Sequence, residues 1–310
     1  MSFPNTSPYH LPPDAVWFIT GCSSGIGLAL AHLLSQSSYR VVATARKIAS
    51  LSEIPDNDNV LKLELDVTAT NAIDEALKAT LDKFRRIDIV VNNAGYTLSG
   101  DTEVTSEQEA RAIMDTNFWG MVNVSTRCLR ILREENPKSG QQGGVILNMS
   151  SMGGYIGYPG QAFYHATKFA MEGWTESVSK ELPLAWNIHM CSLEPGGVKT
   201  NFATSSLKSV AKRHPAYADP SYPAKQLLDY IKSEQGRAFW AEPMALAKAI
   251  LELVSRGQRI PIRLPLGPDA WGMVVKDVES TQKELEEFKD LSLSVGDSKQ
   301  LETIGFLTKS

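Results

Sequence analysis

Val16-Trp17-Phe18-Ile19-Thr20-Gly21-Cys22-Ser23-Ser24-Gly25-Ile26-Gly27 is a short apolar run that breaks into a glycine turn, and an Ala/Leu-rich segment from Leu28 to Leu34 follows it. Such a run bounded by a turn reads as a buried strand, and the segment after it as a helix. Strand, glycine turn and helix are the context in which a glycine motif carries meaning. The glycines let the backbone approach a pyrophosphate, and the helix N-terminus supplies unpaired N–H groups and a positive dipole to hold it. The spacing is G-x-x-x-G-x-G, and turns of this kind also serve simply to pack a helix on a strand.

The same alternation repeats outward from this point. Arg40 to Thr44 reads as a second strand and runs into Ala45-Arg46-Lys47. An acidic residue here would bind the ribose 2′-hydroxyl of NAD; Arg46 instead suits the 2′-phosphate of NADP(H), which a planar guanidinium pairs with through two hydrogen bonds. Leu61 to Leu65 alternates Leu-Lys-Leu-Glu-Leu and ends in Asp66-Val67-Thr68. The Asp66 carboxylate suits either an adenine amino group or the cap of a helix beginning near Asn71. Ile87 to Val91 is a further strand, followed by Asn92-Asn93-Ala94-Gly95. Those two amides and two small residues fit either a flat wall against a cofactor or an ordinary turn.

Glu107 to Asn136 reads as one long helical region, open to a bend, with Asn117 near its middle. Asn is a poor helix-interior residue, so Asn117 marks either a local hydrogen-bonding task or a plain propensity defect. Val145-Ile146-Leu147 is a buried strand that breaks into Ser150-Ser151, crosses a Gly-rich loop and re-enters order on a helix that continues to Leu182. Tyr164 and Lys168 are four residues apart on that helix and therefore share one face. A positive charge beside a phenol favours the phenolate and draws the tyrosine pKa down from about 10 toward neutrality. A tyrosine tuned in this way exchanges a proton with a substrate oxygen near physiological pH. Ser151, at the strand mouth, is within reach of the same oxygen, although a Ser-Ser after a strand is equally a turn or a cap.

Ile188 to Leu193 is a sixth strand and ends in Glu194-Pro195-Gly196-Gly197-Val198-Lys199-Thr200. Residues 201–241 break the pattern: they are rich in Ser, Pro, Lys and aromatics (Phe202, Tyr217, Tyr222, Tyr230, Trp240), with helical patches but no strand. A long insertion of this kind reads as a lid over the site. Pro243 to Val254 is a helix, and Ile260 to Leu266 is an edge-like last strand, given its prolines. Residues 276–290 form a charged, solvated helix, the last twenty residues read as poorly ordered, and the first thirteen as a loose tail. No linker or repeat divides the chain, so residues 14–270 form one domain and 271–310 a C-terminal extension. The implied class is α/β, a Rossmann-type doubly wound parallel sheet of about seven strands with helices on both faces. Ligands on such sheets bind at the carboxyl ends of the strands, where the Gly21 turn, Arg46, Asp66, Asn93, Ser151 and Pro195 all fall.

Composition narrows the function further. The chain has 310 residues and a net charge of −4, without the basic run that nucleic acid binding needs. No apolar stretch approaches the roughly 20 residues that span a bilayer. Cys22, Cys128 and Cys191 lie far apart without metal-ligand spacing and read as reduced thiols of a cytoplasmic protein.

Taken together, T-G-C-S-S-G-I-G, N-N-A-G, N-M-S-S, Y-H-A-T-K and E-P-G-G-V-K-T resemble the short-chain dehydrogenase/reductase superfamily, in its single-domain branch. The motifs occur in the family's order between Thr20 and Thr200, and Ser151 precedes Tyr164 by the family's thirteen residues, which singles it out over Ser150. The resemblance stops at residue 201, beyond which substrate choice resides. It implies that Tyr164 is the general acid in ketone reduction and the general base in alcohol oxidation. Lys168 would hydrogen-bond the nicotinamide ribose and lower the Tyr164 pKa, and Ser151 would hold the substrate oxygen as charge develops. Asn117 would fix a water that carries protons from Lys168 to solvent. Gly21, Ser23, Ser24 and Ile26 would line the pyrophosphate turn, Asp66 and Val67 the adenine, and Asn93, Ala94 and Gly95 the adenosine ribose. Pro195, Gly196, Val198 and Thr200 would hold the nicotinamide.

The reading that results is an NADP(H)-dependent oxidoreductase acting on a carbonyl or secondary alcohol of a mainly apolar small molecule, such as a steroid, polyketide, terpenoid or retinoid-like compound. Two alternatives stand beside it. One is a non-reductive isomerase or cyclase on the same scaffold; the other is a cofactor-binding sensor without turnover. By the same resemblance, helices 107–136 and 161–182 would form the face of a homodimer or homotetramer.

Overall fold

The computed structural model describes residues 4–201, 206–297 and 299–305. The first apolar run forms β1 (Val16–Ile19), and the glycine turn leads into α1 (Gly25–Ser35). Then come β2 (Arg40–Ala45), β3 (Val60–Glu64), α2 (Thr70–Phe84), β4 (Ile89–Asn92) and β5 (Thr97–Ser99). The long helical region is α3 (Glu107–Met114), a π-helical turn at Asp115–Trp119, and α4 (Gly120–Arg130), which continues into a second π turn at Ile131–Glu135. A Ser106/Glu109 capping box starts α3. The chemistry-bearing stretch supplies β6 (Gly144–Met149) and α5 (Ala162–Glu181), followed by β7 (Ile188–Pro195).

Seven strands make one parallel sheet in the order β3-β2-β1-β4-β6-β7-β9, the last being β9 (Arg263–Leu266). Alternation along each strand sends successive side chains to opposite faces. Trp17, Ile19, Val41, Ile89, Val145 and Leu193 meet Leu30 and Leu34 of α1 and Ile250 and Leu253 of α8 (Pro243–Ser255). Val16, Phe18, Val42, Val90, Ile146 and Met190 face α2 and α4 on the other side. The doubly wound α/β sheet of the sequence reading is therefore the fold observed.

Two expectations need correction. The first concerns the N-terminal tail, whose described part is docked. The Asn5 amide donates to the carbonyls of Met190 (2.6 Å) and Ile260 (3.0 Å) and accepts from the Met190 N–H (3.2 Å). Tyr9 is 1% exposed and packs edge-on against His189. A single polar residue inside a Pro-rich run gives no periodic signal, and its partners lie far along the chain. Residues 1–3 lie outside the described residues.

Second, residues 201–241 do contain a strand, β8 (Leu207–Ser209), which pairs in parallel with β5 as a small second sheet. Asp101, buried just beyond β5, accepts from Arg213 Nε (2.9 Å) and the His214 N–H (3.0 Å) and so ties the segment down. Three residues are too few to show alternation. The rest of the insertion holds α6 (Pro223–Lys232) and α7 (Glu234–Arg237), while Phe202 lies outside the described residues.

The C-terminal extension is helical from the end of β9 and comprises α9 (Pro268–Glu287), which contains the charged helix read over residues 276–287, then α10 (Lys289–Leu293) and α11 (Lys299–Thr303). Within α9 only Ala270 is buried, so most of that helix is indeed solvated. Residues 298 and 306–310 lie outside the described residues.

Replacing Asn5 by Ala would leave the main-chain groups of Met190 and Ile260 buried and unpaired. The expected cost is about 1–3 kcal/mol, read as a lowered midpoint in denaturant unfolding. An unchanged midpoint would show that the anchor contributes nothing.

Candidate active site

The glycine turn is shaped by close approach. Gly21 has φ +72°, and a Cβ there would lie 2.9 Å from Ala94 Cα. Gly27 is equally constrained, since its Cβ would come within 2.5 Å of Asn93 Nδ2 and 2.6 Å of the Gly21 carbonyl. Asn93 donates to the carbonyls of Thr20 (2.9 Å) and Gly21 (3.0 Å), and Thr20 Oγ1 accepts from the N–H groups of Asn93 and Ala94. Ser23 is exposed, Ser24 occupies the N-cap position without capping α1 through its side chain, and Ile26 packs on the core. The first-turn N–H groups of α1 are thus left without a side-chain cap.

Arg46 stands exposed just past β2 and makes no ion pair among the described residues. Asp66 accepts from the N–H (2.9 Å) and Oγ1 (2.7 Å) of Thr68, a local turn rather than a helix cap, because α2 starts later, at Thr70. Val67 is buried and closes on Gly120. Gly95 approaches the Asn117 amide oxygen.

At the end of β6, Ser151 Oγ accepts from the Gly153 N–H at 3.0 Å and also hydrogen-bonds the Tyr164 hydroxyl. His165, next to Tyr164, holds the Gly153 carbonyl at 2.8 Å and fixes this loop. Lys168 donates from Nζ to the Met149 carbonyl at 2.6 Å, with Nζ 5.7 Å from the Tyr164 ring centroid. Serine, phenol and ammonium therefore meet at one strand mouth, as the spacing predicted.

The electrostatics differ from the sequence reading. Burial pushes Tyr164 up to about 12, opposed by the Ser151 hydrogen bond, and the Lys168 charge does not offset it. Burial pulls Lys168 down to about 8, against the charge of Glu172 one turn on. Spacing along a helix tells which side chains are neighbours, but desolvation depends on the layers that cover them.

Asn117 occupies the π turn between α3 and α4 and is fully buried. Its amide donates to the Tyr96 carbonyl (2.9 Å) and Thr167 Oγ1 (3.2 Å) and accepts from the Tyr96 N–H (3.0 Å). Thr167 in turn donates to the Tyr164 carbonyl at 2.7 Å. Asn117 thus grips both the Tyr96 backbone and the turn of α5 that carries Tyr164 and Lys168.

The segment after β7 completes the rim. Pro195 ends the strand, and the N–H groups of Gly196 and Gly197 donate to the Leu266 carbonyl (3.0 Å) and Asp269 Oδ2 (2.7 Å). Val198 bridges to Ala241, and the side chain of Thr200 abuts Gly25 in the glycine turn. Asp269 and Ala241 were not singled out from sequence; only the turn residue Gly267 ahead of Pro268 marks that helix start. Beside Tyr164, Leu98, Ile113 and Val210 form an apolar wall with Tyr96 and Phe163 packed on it.

The family model for short chain dehydrogenases matches residues 15–211. An oxidoreductase of Penicillium decumbens, calM, is 44% identical over 293 residues, covering 93% of this chain and 95% of its own. A solved short-chain dehydrogenase from Streptomyces avermitilis is 31% identical with a TM-score of 0.79, over 91% of this chain and 98% of its own. A 3-ketoacyl-(acyl-carrier-protein) reductase from Brucella melitensis, complexed with NADH, is 26% identical with a TM-score of 0.66, over 81% of this chain and 96% of its own.

Lys168 titrates near 8 when folded and near 10.5 when unfolded, so the unfolded chain holds the extra proton between those values. The lysine therefore destabilises the free protein at neutral pH, and the penalty fades as pH rises from about 8 to 10.5. Lys168→Met is expected to stabilise the free protein at pH 7 by up to about 3 kcal/mol, with the gain lost above pH 10. Urea unfolding across that range checks it, and a gain independent of pH would contradict the assignment.

Proposed function

This chain belongs to the short-chain dehydrogenase/reductase family, and from that premise we propose that it is an NADP(H)-dependent oxidoreductase acting on a ketone or aldehyde, or on the matching secondary alcohol, of a mainly apolar small molecule. The observation that carries this reading is the meeting of Ser151, Tyr164 and Lys168 at the carboxyl end of the sheet, which also holds the glycine turn.

The residues present fit a dinucleotide. The first turn of α1 lacks a side-chain cap, and Gly21 and Gly27 leave open the space that a Cβ would fill. Gly21, Ser23, Ser24 and Ile26 would hold the pyrophosphate, and Asp66 and Val67 the adenine. Asn93, Ala94 and Gly95 would border its ribose, with Pro195, Gly196, Val198 and Thr200 around the nicotinamide. Arg46, exposed at the end of β2 and without an ion pair among the described residues, would take the 2′-phosphate and favours NADP(H) over NAD(H). When bound, the reduced nicotinamide supplies the hydride.

The protein's own part is orientation and the proton. With its pKa near 12, Tyr164 is a neutral phenol at physiological pH, suited to donate its proton to a carbonyl oxygen as negative charge builds there. Ser151 would donate a second hydrogen bond to that oxygen. Lys168 would hold the nicotinamide ribose, and its charge would stabilise the phenolate left behind. Asn117 keeps the Tyr164–Lys168 turn in place through Thr167. An apolar substrate is supported by the wall of Leu98, Ile113 and Val210 beside Tyr164 and by the exposed aromatics Tyr217, Tyr222 and Tyr230 of the insertion. The Brucella relative, a 3-ketoacyl reductase, acts on a keto group by its name. The free, buried thiols of Cys22, Cys128 and Cys191 fit a cytoplasmic protein, and exposed Trp119 and Phe169 would suit a dimer face.

Tyr164→Phe is expected to lower NADPH-dependent ketone reduction by a factor of about 10²–10⁴ while leaving NADPH affinity within a few-fold. Unchanged turnover would remove the mechanism. A wild-type protein that binds NADPH yet consumes none across a ketone panel would instead be a sensor. Arg46→Asp is expected to reverse the ratio of NADPH to NADH affinity by weakening NADPH binding at least tenfold, a loss of about 1.4 kcal/mol. An unaltered ratio in fluorescence titration would mean that other groups read the 2′-phosphate.

A further inference from the structure

Behind Lys168 lies a second titratable cluster that the proposed chemistry leaves unused. Glu172 follows Lys168 by one turn of α5, and Glu194 stands near the end of β7; their side chains are 5% and 1% exposed. The sheet register brings them together. Ser192 of β7 pairs with Arg263 of β9, so Glu194, two residues on, projects from the same face. Arg263 Nε lies 3.2 Å from Glu172 Oε2 and 4.0 Å from Glu194 Oε1, while its Nη2 reaches Glu176 Oε2 at 2.7 Å. One guanidinium therefore faces three carboxyl groups, two of them buried.

The two buried groups are not equivalent. Glu172 Oε2 accepts a hydrogen bond from Arg263 Nε; burial raises its pKa, and the nearby hydroxyls of Ser150 and Ser192 together with Arg263 oppose that rise. Neither oxygen of Glu194 has a hydrogen-bond partner among the described residues, whereas Glu172 lacks one at Oε1 alone. Two carboxylates cannot both ionise easily in one buried site, and the proton goes to the one with fewer donors. Burial, with the charge of Glu172 added, raises Glu194 to about 8, opposed by Arg263. The adjoining Cys191 thiol is pushed far up, by burial first and then by the charge of Glu172, and so stays neutral. Of this set, Glu172 is the one whose charge reaches Lys168. The cluster also touches the Ser151 loop, since a Cβ on Gly154 would lie 2.5 Å from Ser150 Oγ and 3.1 Å from Glu172 Cγ.

We propose that Glu172 and Glu194 hold one shared proton, resident on Glu194, and that the single negative charge left on Glu172 keeps the buried Lys168 an ammonium. Glu172 is then a positioning residue for the proposed reaction, acting through Lys168, and Glu194 confines the charge to it. The functional part rests on the role given to Lys168 above; the shared proton does not. A cluster that merely ties β9 to α5 would use the same Arg263 contacts but would have no effect on how Lys168 titrates.

Three variants separate these roles: Glu194→Gln, Glu172→Gln and Glu172→Asp. In the free protein at neutral pH, infrared spectroscopy should show the carbonyl band of a buried protonated carboxyl that Glu194→Gln removes. Because Gln mimics the protonated acid, Glu194→Gln should leave the Lys168 titration in place. Glu172→Gln should move that titration, followed by NMR of isotope-labelled lysine, down by about one pH unit, with Glu172→Asp restoring most of the shift. The alkaline limb of ketone reduction should move with it. A band that survives Glu194→Gln, or a Lys168 titration unmoved by Glu172→Gln, would overturn the proposal. If no ketone is reduced, the oxidoreductase reading falls alone, because the band and the lysine titration are both read without cofactor.

Discussion

The seam between the ends of β1 and β4 is the constraint on which the remainder of the molecule rests. From β1 the chain winds outward to β3, then returns past its starting point to β4, so the order of strands reverses here. A parallel sheet opens a crevice at such a reversal. In this protein the crevice is held by one threonine hydroxyl and one asparagine amide: Thr20 accepts from two N–H groups of the facing loop, and Asn93 donates to two carbonyls of the glycine turn. The contact is close enough that a Cβ on Gly21 or Gly27 would break it. The position of α1, and the direction in which its first N–H groups point, follow from that fit.

Polar residues also hold the sheet together further along. Asn92, Asn148, Ser192 and Arg263 lie opposite one another on β4, β6, β7 and β9. Asn92 donates to Asn148, Asn148 to Thr175 of α5, and Arg263 to Glu172 and Glu176 of the same helix. Most buried polar groups in a core are costly unless paired, and these pairings fix α5 in rotation as well as height. The helix that carries Tyr164 and Lys168 is thereby held by directional contacts, which apolar packing alone would not provide.

Much of this was legible in the residues themselves. Trp17 and Ile19 against Val16 and Phe18 already imply two covered faces, and the glycines at 21, 25 and 27 imply a turn into a helix. The Ser151, Tyr164 and Lys168 grouping followed from one strand end and one helical turn. What escaped notice depends on partners distant in the chain. Nothing around Asn5 points to Met190 or Ile260, and nothing around Leu207 points to Thr97. Glu172 and Glu194 are ordinary glutamates until the β7–β9 register sets them before one arginine. The misjudged phenol has the same origin: proximity to a charge was visible, and burial was not.

The Asn5 anchor bears on how the protein is made. Its acceptors sit on β7 and on the segment leading into β9, 185 and 255 residues further along the chain. During synthesis the Asn5 segment therefore cannot make both contacts until residue 260 has emerged. Sheet strands β1 to β6 can assemble in the meantime, leaving the opening segment exposed to the chaperones that greet nascent chains. Docking of the Asn5 segment thus belongs to a late stage of folding, after most of the sheet has formed.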